Sequence, residues 1–197
     1  MKARLVLESG DWTLMNGQAS FDNIDELFAL GVASVRLGDG GRADAALEHL
    51  GIAAKSVPDR DAREIAQIMR EELDGLMREL AGDKAGSLGA FSRAAALEAK
   101  RPKPIARPYP VKPAGELYGE ALLRAGDGAG AVTQFQASLA RTPRRSASLF
   151  GVARAAKAAG KPAEAVKAAK DFLAAWHFAD AGRPELAEAR ALLATKQ

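Results

Sequence analysis

The residues able to do chemistry are few and scattered. The two histidines, His49 and His177, stand far apart, and neither has further imidazoles or carboxylates gathered around it as a metal site requires. They read as structural or surface residues. There is no cysteine, which excludes disulfides, thiolate metal sites and cysteine nucleophiles. No nucleophile elbow is present for a serine triad. Glu71, Glu72 and Asp74 put three carboxylates close together on one helix. A pair of them could exchange protons with a substrate, but a solvated helix face is the expected role. Gly38-Asp39-Gly40-Gly41 and Gly126-Asp127-Gly128 are glycine-rich. Neither follows a strand, as a phosphate-binding loop must, so both read as interhelical turns. The expectation is a chain without catalytic residues, metal ligands or cofactor.

Positive charge is the remaining chemical feature. Lys100, Arg101, Lys103, Arg107 and Lys112 crowd a proline-rich stretch that also holds Tyr109, and Arg141, Arg144 and Arg145 surround Pro143. Such patches could contact phosphates, with Tyr109 stacking on a base. The net charge is only +3 and the pI about 9.3. Balanced acidic residues elsewhere therefore favour solvated charge or an acidic protein partner over nucleic acid.

The elements that must carry these residues are helical. Of the 197 residues 48% are hydrophobic but only 6% aromatic. A core of Ala, Leu and Val suits closely stacked helix pairs, and no alternating β-branched run marks a strand. No segment has the apolar length of a membrane span. Leu5-Val6-Leu7 is too short for a signal-peptide core. The absence of cysteine fits cytoplasmic and periplasmic chains alike. Arg4 to Glu8 reads as the end of a helix capped at Gly10, which predicts that Met1 opens a fragment of a longer protein.

Residues 9–20 read as a loop, with Trp12 and Leu14 tucked against the first helix pair. That pair spans about 22–57. It starts at an Asp22 or Asn23 cap, packs Leu27, Leu30 and Gly31, turns at Gly38–Gly41 and ends at Pro58. The second, about 60–99, starts at Asp59 or Asp61. Its buried face is Ile65, Ile68, Met69, Leu73, Leu76, Met77 and Leu80. Met77 stands where a small residue is expected, which predicts a wider crossing. Residues 100–113 carry five prolines and read as an extended connection within one domain of 1–197, or else as a linker between two smaller ones. Further pairs follow at about 114–142 and 145–179, then a capping helix at 184–195.

Tyr118-Gly119, Gly126-Asp127, Ala131, Phe135 and Pro143 are followed by the same frame at Ala153, Gly160 and Ala165. Recurrence at roughly 34 residues resembles the tetratricopeptide repeat (TPR) superfamily. Pro110 to Leu123, Ser138 to Pro143 and Pro184 to Arg190 are similar to the C-terminal region of long bacterial TPR proteins of unknown function. In those proteins a longer N-terminal region carries histidine-containing motifs, and none of these is present here.

The resemblance implies an all-α, right-handed superhelix of antiparallel helix pairs with a C-terminal cap. Its function would be non-catalytic protein or peptide binding on the concave face. The groove positions are then Glu116, Glu120, Leu123 and Arg124, followed by Phe150, Arg154 and Lys157. Phe150 would anchor an apolar group, while Arg154 and Lys157 would hold a carboxylate. The alternatives are an accessory region of a larger enzyme or metal-binding protein, and a helical-repeat nucleic-acid binder. Whether copies of the chain associate is left open by the sequence.

Overall fold

The computed structural model of the chain describes residues 1–17, 23–105, 109–179 and 182–194. Among these residues there are ten α-helices, one short 3-10 helix and no strand. The helices are α1 (Lys2–Ser9), α2 (Ile24–Leu37), α3 (Gly40–Ser56), α4 (Arg60–Leu80), α5 (Lys84–Ala99), α6 (Ala114–Arg124), α7 (Gly128–Arg141), α8 (Ser146–Ala158), α9 (Pro162–Ala175) and α10 (Pro184–Ala194). The 3-10 helix is Trp12–Met15. None of the described helices is long and apolar enough to cross a membrane.

One local device recurs four times. α2, α4, α6 and α8 each run into a glycine of positive φ, at Gly38, Gly82, Gly126 and Gly160. The next residue folds its N–H back five positions: Asp39 to Ser34 O, Asp83 to Arg78 O, Asp127 to Leu122 O and Lys161 to Ala156 O, all at 2.8–2.9 Å. This is the glycine-dependent Schellman ending, which satisfies carbonyls that a helix end leaves open. At the first three turns the aspartate then caps the next helix. Asp39 accepts from Arg42 N–H, Asp83 from Gly86 N–H and Asp127 from Gly130 N–H, at 2.8–3.0 Å. The fourth turn has Lys161 in that place and makes no side-chain cap, with Pro162 opening α9 instead. Elsewhere, Asn23 caps α2 and Asp59 caps α4. An oxygen on a short side chain can reach the free N–H groups of a first turn, which is why these residue types start helices.

The chain divides into two compact units. One is Met1–Pro102 with Pro108–Ala114, and the other is Lys103–Arg107 with Gly115–Gln197. In the first unit α2 is the central element, buried without interruption from Leu27 to Val35. It packs on α1, α3 and α4, and α4 packs on α5. α1 and the 3-10 helix close one side through Ala3, Val6 and Met15, with Trp12 packed against them. Leu14 is exposed, because the 3-10 helix turns Met15 inward in its place. Gly31 lies against Leu73 and Ala46, and a Cβ there would come 2.5 Å from the leucine. Gly75 receives the ring of Phe91, which stands 2.7 Å from where a Cβ would be. The small position of α4 is therefore Gly75 and not Met77, and Leu80 is exposed at the helix end.

The second unit repeats this logic around one aromatic ring. Phe135 of α7 is enclosed by Gly119 of α6 and Gly151 of α8; at Gly119 a Cβ would stand 2.9 Å from the ring. Gly128 at the start of α7 meets the backbone of Ala155 and Ala159 at the end of α8. α9 packs on α8 with Ala165, Ala169 and Phe172 buried, and α10 rests on α9 and α8 through Leu186, Ala189 and Leu192.

Candidate interaction surface

The predicted groove residues lie on α6 and α8, and the structure separates them. Glu116 is wholly buried. Its carboxylate accepts two bonds from the Arg145 guanidinium, 2.6 Å from Nε and 2.9 Å from the terminal nitrogen. The Ser148 hydroxyl lies in hydrogen-bond contact with Glu116 and, at 3.0 Å, with Ser138. Arg145 is itself only 8% exposed. The two-pronged geometry suits a planar guanidinium on a planar carboxylate. Glu116 thus ties α6 to α8 and does not line a groove, which corrects its assignment. Glu120 and Leu123, on the same side of α6 one and two turns further on, are half-buried, while Arg124 is exposed.

On α8 the surfaces are divided. Ser148, Gly151 and Ala155 face α6 and α7. The opposite stripe, Phe150, Arg154 and Lys157, is half-buried to exposed. Phe150 heads an aromatic row, its ring 5.1 Å from Phe172, which is in turn 4.8 Å from Trp176. Both ends carry an arginine: Arg154 lies 5.7 Å from the Phe150 centroid and Arg183 lies 5.3 Å from that of Trp176. A cation over an aromatic face is drawn by the ring quadrupole, more strongly where water is partly excluded. Arg154 also reaches Glu188 of α10 at 3.1 Å, with both side chains about half-exposed. Phe172 on α9 and Trp176, the residue that caps its C-terminus, stand one turn apart, a spacing visible in the sequence. The placement of Arg183 over Trp176 was not visible there.

The other charged residues are mostly committed. Glu71 and Glu72 are buried, against the expectation of a solvated face. α4 carries them inward, so Glu71 takes Arg93 at 2.8 Å and Gln67 at 3.0 Å, and Asp74 takes Arg78 at 2.9 Å. In the proline-rich stretch, Arg101 bonds Asp61 at 2.5 Å and Glu64 at 2.7 Å. The Tyr109 hydroxyl is hydrogen-bonded to Asp25. Burial, followed by the Asp25 charge and this bond, holds the phenol well above its ordinary range; burial also raises the Asp25 carboxyl. With Arg101 and Arg145 engaged inside the fold and the Tyr109 hydroxyl held by Asp25, a phosphate-binding face loses two of its expected cations. Arg107 lies outside the described residues. Both histidines are exposed, and the described residues hold no cluster of metal ligands.

Two open clefts mark the first unit. One, of about 680 Å³, lies beside the Arg101 ion pairs and touches Ile68 and Leu97. The other, of about 560 Å³, runs between the outer face of α3 and α4. Comparison of the chain with family models, with curated proteins and with solved structures returned no match.

Proposed function

We propose that this chain is a non-catalytic interaction scaffold of TPR type, and that α8, as the first helix of its pair, lines a concave face that holds a peptide by an apolar residue next to a carboxylate. The pairing of Phe150 with Arg154 carries this reading. One side chain offers a ring edge in a half-open position, and the next turn offers a guanidinium above it. Glu188 marks where the ligand carboxylate would sit, since it already occupies that position on Arg154. An exposed ion pair is worth about 0–1 kcal/mol, so exchanging Glu188 for a ligand carboxylate is nearly isoenergetic. The adjacent apolar contact then supplies the net gain. Lys157, one turn on, extends the positive edge. The four matched Gly turns support helix pairs of TPR kind, and hence a right-handed superhelix whose inner face is built from the first helix of each pair.

A random-peptide display selection against the whole chain tests this. Enriched peptides should share a large apolar residue beside an acidic residue or a free C-terminus. Phe150→Ala and Arg154→Glu should each weaken the enriched peptides about tenfold or more. Enrichment with no such pattern, or binding indifferent to both variants, would sink the reading.

A further inference from the structure

We propose that the outer face of α3 is the contact of a two-fold dimer, with a second copy of this chain as its occupant. Several charges of the first unit are paired internally: Arg60 with Glu64, Arg70 with Glu71, Arg78 with Asp74 and Asp83, Arg93 with Glu71, Arg101 with Asp61 and Glu64. Asp44, Glu48 and Lys55 are different. They lie along one face of α3, are exposed, and make no ion pair or side-chain hydrogen bond with any described residue. The same face carries Ile52, 52% exposed in mid-helix. The cleft beside them is lined by Asp44, Leu47, Glu48, Ile52, Lys55 and Arg70.

The order of these residues specifies the partner. Along α3 the face is acidic at Asp44 and Glu48, apolar at Leu47 and Ile52, and basic at Lys55. Arg70 of α4, itself 3.5 Å from Glu71, borders this face. Its Nε lies 3.3 Å from the position a Cβ would take on Gly51, so the guanidinium covers that glycine. A helix with this gradient complements itself when two copies run antiparallel. With the axis passing midway between His49 and Leu50, Asp44 faces Lys55 of the second copy. Ile52, which lies on the same flank of both helices, then stands about 8 Å along the axis from Ile52 of the second copy. One register thus brings the Asp44–Lys55 charge contact, repeated by the two-fold axis, together with the paired Ile52 side chains. A parallel arrangement would set Asp44 against Asp44. The helix is about 25 Å long, so the contact falls at the small end of interface sizes and the association is weak and reversible.

Sedimentation velocity on the whole chain, from low micromolar to several hundred micromolar, tests the proposal. Wild type should shift reversibly from monomer to dimer across the series. Ile52→Asp, Asp44→Lys and Lys55→Asp, all exposed substitutions that leave the helical circular dichroism unchanged, should each stay monomeric. The decisive sample is an equimolar mixture of Asp44→Lys with Lys55→Asp. In the homodimers those variants oppose like charges twice, whereas in the mixed dimer every charge meets its opposite. The mixture should therefore associate about tenfold more tightly than either variant alone. A wild type that stays monomeric throughout overturns the proposal. So does a dimer indifferent to all three substitutions, or a mixture no tighter than its components.

Discussion

Removing one half of a buried ion pair usually costs more than the pair contributes, because the remaining charge has lost both water and partner. Glu116 and Arg145 are arranged so that this penalty is large. Both lie almost entirely out of solvent, and Ser148 and Ser138 extend the same network. Glu116→Ala should therefore destabilise the chain by about 3–5 kcal/mol. The double variant Glu116→Leu/Arg145→Met, which removes both charges and keeps the volume, should recover most of that loss. Urea unfolding followed by circular dichroism gives the comparison. Equal losses in the single and double variants would show that the network acts through packing rather than charge.

At the scale of elements, the four turns form an internal series with one member unlike the rest. The backbone at Lys161, with φ −109° and ψ 70°, is close to that of Asp39, Asp83 and Asp127 at the corresponding turns. Only the capping oxygen is missing. Lys161→Asn supplies it and forfeits a loose 3.7 Å pair with Glu164, which is largely exposed at Lys161 and worth little. The variant should be more stable by about 0.5–1 kcal/mol, read as a rise in melting temperature. An unchanged or lower value would mean that Pro162 already fixes the start of α9. These turns also explain what the sequence disclosed. Helix bounds depend on Gly, Asp, Asn and Pro within a few residues of the boundary, and such residues stand at most of the helix ends from α2 to α10. The small position on α4 was not. A period of roughly 34 residues fits the step from Gly126 to Gly160, but the earlier turns at Gly38, Gly82 and Gly126 are more widely spaced. Reading Leu73, Leu76 and Met77 by the pattern of Leu27, Leu30 and Gly31 pointed to Met77 and passed over Gly75.

At the scale of the whole molecule, the reading of the surface was the part least available from sequence. Glu116 and Glu120 are identical in type and one helical turn apart. What buries the first is an arginine 29 residues away, and no local pattern carries that distance. The same holds for Glu71, whose partner Arg93 is 22 residues on. Phe150 and Arg154, by contrast, stand four residues apart on one helix, and the guanidinium over the ring follows from that local spacing.

The proline-rich connection has a further consequence, for proteolysis. Arg101, Lys103, Arg107 and Lys112 are each followed directly by proline. A bond whose leaving nitrogen is held in a pyrrolidine ring, without an N–H, fits poorly in a trypsin-like site. The neighbouring Lys100–Arg101 bond lies at the end of α5, where Arg101 is fixed by Asp61 and Glu64. Ile105, by contrast, is fully exposed. Brief digestion with trypsin should therefore leave this stretch uncut, while proteinase K should nick the chain beside Ile105. Early tryptic products ending between 101 and 112 would contradict this. The stretch richest in basic residues would then be the one that a protease specific for basic residues cannot open.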